Sequence, residues 1–318
     1  MPVAPAPMVD PRASTTNVAI TRLPGEPIGR GKPPSYRWLN FRTIAGRTGW
    51  TIVIWGLFAF FVLGPLLTVA AFSITPSIFH GVSGFTTEWY RQLFSKPSLY
   101  QPLFRSFEVA TLVVCVQLVL GTLIAYATAR RRIFGAQAMD AMSNLTIALP
   151  SVVVGLAALS FYGTYGPIHA LGEFLFNNPL AFTWTLWIIV FAHVLETFPY
   201  MVRTVSTVLG QIPPNLEMAA RSLGAGRFTV FRTIVLPLIR PGLLAGGVLV
   251  FSRSIAEFGA TIIVVSAILK TSPIAIYENA EAGQLELAAA YSVVLMVVSF
   301  GVYLLMRRRI LRRGLTIQ

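Results

Sequence analysis

The sequence predicts an all-α membrane protein with six transmembrane helices and both termini on the cytosolic side. Three observations lead there. Of the 318 residues, 55% are hydrophobic and only 12% charged, and the mean hydropathy is +0.68, a balance too apolar for an ordinary soluble domain of this length. Six stretches reach the length of about 20 largely apolar residues that a spanning helix needs. Finally, Lys and Arg, which resist translocation, collect in alternate connections. With the N-terminus inside, seven lie from Arg12 to Arg47 and three at Arg130, Arg131 and Arg132. Five more fall between the fourth and fifth runs and five at Arg307, Arg308, Arg309, Arg312 and Arg313, so 20 of the 25 share one side.

In chain order, residues 1–48 read as a cytosolic tail, largely disordered, because the first 35 are rich in Pro, Ala, Ser and Thr and lack the apolar core of a secretory signal. The membrane domain covers 49–306. Its spans are Trp50 to Ile74 with a kink at Pro65, about Phe107 to Ala129, about Met142 to Tyr162 with Pro150 inside, Phe182 to Val202, about Pro241 to Ser266, and Leu287 to Met306. Proline inside a span is tolerated where neighbours or water satisfy the freed backbone groups, so these runs are kept whole. Residues 307–318 form a basic cytosolic tail. Outside, Phe85 to Phe94 alternates aromatics and charges at helical spacing and suits the interface, whereas Gly163 to Leu180 reads as a loop or partial re-entry.

The formal net charge of +13 is a topology signal carried by residues flanking apolar runs, which argues against a nucleic-acid partner. Cys115, the single cysteine, excludes an intrachain disulfide and reads as a small packed side chain. His80, His169 and His193 lack metal-ligand spacing and read as interfacial or packing residues. Ser252 and Ser254 have no histidine nearby in sequence, and no catalytic residue, metal site or bound cofactor is predicted. The stretch closest to a phosphate-binding loop, Glu26 to Pro33, has Glu26 where the first glycine belongs and Pro33 after Lys32.

The inner connection of about 203–240 is the most informative. Pro213 and Pro214 precede Asn215, an expected N-cap, with Glu217 near the positive end of the helix dipole. A short helix through Leu223 follows, then a sharp turn at Gly224 and Gly226, then a second amphipathic helix that Pro237 stops. Phe228, Phe231 and Ile234 share one face, suited to packing beneath the bundle.

Ala219, Ala220, Gly224, Ile234, Leu236 and Pro237 match the spacing of the EAA loop of ABC import permeases: E-A-A, three residues, Gly, nine residues, Ile, one residue, Leu-Pro. The chain thus resembles the type I, binding-protein-dependent permeases, and the resemblance spans about Ser106 to Arg309. It implies that Glu217, Met218, Ala219, Ala220, Arg221, Leu223, Gly224, Ala225, Ile234, Leu236 and Pro237 form the element that docks on an ATPase. The motif's acid is Met218 here, with Glu217 one residue earlier; such a displacement rotates a side chain by about 100° around the helix.

Charges within a span cost roughly 2.5 to 3.5 kcal/mol on insertion scales and therefore face a protein or aqueous interior. Arg253 and Glu257 lie four apart and can pair, and Glu196 lies in the fourth span. "FSRSIAEFGAT", Phe251 to Thr261, with Ser222 to Ala225 and Thr271 to Tyr277, resembles the sulfate and molybdate permease group, with Ala256 where Gly is usual. Arg253, Ser254, Glu257, Phe258 and Glu196 are the expected pathway or gate residues, either as a structural ion pair or as a lining of the path.

The resemblance implies the pore subunit of an ATP-driven importer passing a small oxyanion by alternating access, with spans three to five lining the path. Its implied partners are two ATPase subunits, which bind ATP and magnesium, a second permease subunit, identical or homologous, an extracytoplasmic binding protein, and the lipid membrane. Related permeases carry phosphonate, iron, polyamines or thiamine. An ion-coupled secondary transporter using Glu196 and Glu257 is the alternative from another class.

Overall fold

The computed structural model describes residues 41–77, 84–130, 134–177, 182–266 and 269–312. Residues 1–40 of the expected tail, His80, Arg131, Arg132 and Arg313 lie outside them. The described residues contain no strand, and six helical spans are long and apolar enough to cross a membrane: Thr48–Phe72, Pro97–Ala129, Ser151–Phe176, Leu186–Gln211, Arg227–Ile255 and Leu285–Leu305.

Helix α1 (Phe41–Phe58) begins inside the expected tail. A π-helical turn at Ala59–Leu63 leads into α2 (Gly64–Phe72). Pro65 therefore opens a helical segment after a widened turn, which relieves the clash of its ring with the carbonyl four residues back. Helix α3 (Glu88–Ser95) is the amphipathic segment expected outside the spans; it buries Leu93, while the Trp89 indole donates to the Thr75 carbonyl at 2.8 Å and the Tyr90 hydroxyl to Ser73 Oγ at 2.8 Å.

Helix α4 (Pro97–Ala129) starts ten residues before its apolar run and carries Pro102 inside. Its 33 residues span about 50 Å against a hydrocarbon thickness of about 30 Å, so it projects beyond the apolar layer. Cys115 faces outward and is exposed, contrary to the packed position expected for it. The third run expected from the sequence, about Met142 to Tyr162, is divided: α5 (Ala136–Ala148) ends before Pro150, and α6 (Ser151–Tyr162) begins after it. Leu149, preceding the proline, is extended with ψ 138° because the Pro ring disfavours the helical region for its predecessor. The connection expected to be a loop or partial re-entry contains α7 (Pro167–Phe176).

Helix α8 (Leu186–Gln211) is continuous through Pro199. It is followed by α9 (Asn215–Ser222), α10 (Arg227–Val230), a π-helical turn at Phe231–Val235, and α11 (Leu236–Ile255). Pro237 does not stop the helix: α10, the π turn and α11 run on as one span, Arg227–Ile255, and the widened turn directly before Pro237 accommodates its ring. The fifth span thus begins well before Pro241 and ends at Ile255, with α12 (Gly259–Val264) separate from it. Helices α13 (Ser272–Glu281) and α14 (Leu285–Arg312) complete the described chain.

Helices α4, α8 and α11 form the core, largely from Val, Ile and Leu, with glycines at their closest approaches. A Cβ on Gly121 would come within 2.6 Å of Met201 Cγ, and one on Gly246 within 2.7 Å of Met201 Sδ, so α4 and α11 both close onto α8 at one methionine. Lipid tails are as apolar as side chains, so such close approach supplies the packing that holds spans together. Gly155 of α6 likewise lies against Ala260 of α12, with 2.5 Å between its would-be Cβ and the Ala260 carbonyl oxygen.

Candidate functional site

Two constellations stand out, at different depths of the bundle. The first is the α9–α10 element between α8 and α11. Pro214 occupies the N-cap position of α9, with no side-chain cap bond, so Asn215 is the first helical residue instead of the cap expected from it. The helix closes in a Schellman motif: the Ala225 N–H donates to the Ala220 carbonyl at 3.1 Å and the Gly224 N–H to the Arg221 carbonyl at 2.9 Å. This ending demands a left-handed residue, and Gly224 has φ +86°. The spacing of Ala220, Gly224 and Ala225 is therefore the hydrogen-bond register of a helix stop.

The expected docking residues divide by direction. Ala220, Ala225, Ile234 and Leu236 pack against the bundle core, whereas Met218 (60% exposed), Ala219, Arg221 and Leu223 face away from it. Pro237 is half-buried. Phe228 is exposed and leaves the inward face expected of it, while Phe231 meets the Tyr126 ring at 5.3 Å.

Glu217, 3% exposed, points inward. Its Oε1 accepts from Arg130 Nε at 2.8 Å and its Oε2 from the Tyr126 hydroxyl at 2.8 Å, while Arg130 Nη2 donates to the Ile212 carbonyl at 3.1 Å. The 100° between positions 217 and 218 separates a buried anchor from an exposed side chain.

The second constellation lies where α8 meets the end of α11. Arg253 Nη2 is 2.8 Å from Glu196 Oε1 and 3.6 Å from Glu257 Oε2. Arg253 thus pairs first with Glu196 on α8 and only second with Glu257, its expected partner. The Arg253 side chain is 45% exposed and both carboxylates are buried. One cation faces two anions, a formal charge of −1. Glu196 Oε2 has no hydrogen-bond partner among the described residues. Glu257 follows the end of α11, and its Oε1 accepts the Ala260 N–H in the first turn of α12 at 2.9 Å. Phe258 packs on Tyr277 with ring centroids 5.2 Å apart.

Beside this trio, buried His193 bridges α8 to both later helices: Nδ1 lies 2.8 Å from Ser254 Oγ and Nε2 2.7 Å from Thr261 Oγ1. The Thr261 hydroxyl donates to the Glu257 carbonyl at 3.1 Å, so it accepts from Nε2–H, and Nδ1 accepts from Ser254. Ser254 therefore has the histidine partner that its sequence neighbours lack. The readable signal was a histidine and a glutamate one turn apart, His193 and Glu196, inside an apolar run. Gln117 of α4 joins from the other side, its Nε2 donating to the Val194 carbonyl at 2.7 Å. Among the described residues no group of His, Cys, Asp and Glu could hold a metal ion.

Residues 117–313 match the family described as binding-protein-dependent transport system inner membrane component. The chain belongs to this family. It is a multi-pass inner-membrane permease, and the match contains both constellations. Over 181 residues the permease is 40% identical to the molybdenum transport system permease protein ModB of Escherichia coli (strain K12), covering 56% of this chain and 78% of that one. Over 146 residues it is 40% identical to the sulfate transport system permease protein CysT of Salmonella typhimurium (strain LT2), covering 46% of this chain and 52% of that one. Its fold is shared with a bacterial alginate ABC transporter solved in complex with an alginate pentasaccharide-bound periplasmic protein, at a TM-score of 0.68 and 16% identity over 89% of this chain and 99% of that one.

Proposed function

We propose that this permease is the pore subunit of an ATP-driven importer for a small tetrahedral oxyanion, molybdate or sulfate. The names of its relatives support that substrate class, as does the segment Phe251 to Thr261. ATP is hydrolysed by two separate subunits, which bind the nucleotide and magnesium and dock on the α9–α10 element from the cytosol. A second permease, identical or homologous, completes the pathway, and an extracytoplasmic binding protein delivers the solute.

The observation that carries the reading is the construction of α9–Gly224–α10. One side is packed into the bundle, while the other presents Met218, Leu223 and Phe228 to a partner, and exposed apolar side chains grouped at one end of an element mark an interaction site. Arg253, Glu196, Glu257, Ser254 and Phe258 act at the pathway as a gate. The cluster is formally anionic, so it holds α8 and α11 together in preference to attracting an anion.

The test is co-purification with the cognate ATPase after Gly224→Val and Ala220→Arg, together with titration of the cognate binding protein by molybdate and by sulfate. Loss of ATPase association and tight binding of one oxyanion are expected. Unchanged assembly would overturn the docking assignment, and indifference of the binding protein to both anions would overturn the substrate class.

A further inference from the structure

We infer that Arg130 is a positioning residue that makes α4 follow the docking helix during the nucleotide cycle. The inference rests on the proposed docking role of α9 and goes beyond it, because covalent continuity alone links that element only to α8 and α11. The junction to α4 is non-covalent and built from charge. Arg130, directly after α4, donates to Glu217 Oε1 in the first turn of α9 and to the Ile212 carbonyl at the start of the connector between α8 and α9. Tyr126, one turn earlier on α4, donates to the other oxygen of Glu217, and its ring packs on Phe231 of the π turn.

The side chains of Arg130 and Glu217 are 10% and 4% exposed. Shielding of this kind makes a charge-assisted pair stiff, and it makes loss of one partner costly, since the other charge remains buried. The pair also stands directly behind Met218, the exposed neighbour of Glu217. A displacement applied to the outer surface of α9 is thereby delivered to α4 through short hydrogen bonds.

The experiment uses the permease assembled with its cognate ATPase and binding protein in lipid vesicles. Uptake is probed with radiolabelled sulfate and molybdate, and ATP hydrolysis is measured with and without the binding protein. Arg130→Gln is expected to assemble and hydrolyse ATP, while uptake and stimulation by the binding protein both fall at least about tenfold; Arg130→Lys retains most of both. Unchanged uptake and stimulation in Arg130→Gln would overturn the inference and leave the docking assignment standing. Loss of ATPase association in Arg130→Gln would also overturn it, since Arg130 would then only shape the docking surface. Should Arg130→Gln fail to fold, Tyr126→Phe, which removes one hydroxyl and keeps the ring, decides: reduced stimulation supports the inference, and native stimulation refutes it. Failure of the docking assignment has a different signature, intact assembly after Gly224→Val and Ala220→Arg.

Discussion

Arg253→Met isolates the energetics of the membrane-embedded trio. It removes the one cation from between Glu196 and Glu257, taking the formal charge of the cluster from −1 to −2 and leaving two buried carboxylates. At an effective dielectric constant of about 20, contacts of 2.8 and 3.6 Å correspond to roughly 6 and 5 kcal/mol of attraction. Desolvation of the buried carboxylates and solvent screening of a guanidinium that is 45% exposed cancel most of that, leaving a net loss of about 3 kcal/mol, the lower end for breaking a buried pair. For a domain of this size the loss corresponds to a fall in Tm of about 6–12 °C. Thermal unfolding of the purified permease in detergent reads it directly. The double variant Arg253→Met/Glu196→Gln, which removes one carboxylate with the cation, recovers at least half of the drop. A single variant melting within about 2 °C of the native protein would show that the trio contributes no ion-pair energy.

His193→Ala leaves the Ser254 and Thr261 hydroxyls without their ring partner, so stability falls by about 1–3 kcal/mol, read by the same thermal assay. Gly155→Val forces α6 away from the Ala260 backbone and lowers the yield of folded permease on size-exclusion chromatography, while Gly210→Ala, with nothing within 4 Å of its Cβ, gains about 0.5–1 kcal/mol from helix propensity.

Six spans and the helix–turn–helix were readable because each depends on signals local in sequence: apolar runs, and a Schellman stop whose residues lie within six positions of one another. Span boundaries were less readable. Apolarity marks where a helix meets lipid, and α4 and α8 continue past that limit because their ends meet other protein. Prolines were the hardest to read. Pro102, Pro199 and Pro241 lie within helices, Pro65 and Pro237 follow π turns, and of these six only Pro150 divides a run expected to be one span. The outcome depends on whether nearby backbone can widen to accept the ring, which a single sequence does not display. The charge trio and the histidine bridge were half legible. Each member stood out as a polar residue in an apolar run, but the partners Glu196 and Ser254 are 57 and 61 positions away from Arg253 and His193 respectively.

Helix α4 is unbroken by proline from Ser106 to Arg130, and both ends hold something. Ser106 Oγ accepts the Ser272 N–H of α13 at 2.7 Å, and Arg130 grips Glu217. Between them, Gly121 rests on Met201 of α8 and forms the natural fulcrum. At about 1.5 Å per residue, the arm from Gly121 to Arg130 is about 14 Å and the arm to Ser106 about 22 Å. A tilt about that point would move the α13 end about 1.7 times as far as the Glu217 end, in the opposite direction. The contacts at Ser106, Gly121 and Arg130 thus divide the helix into one long and one short arm.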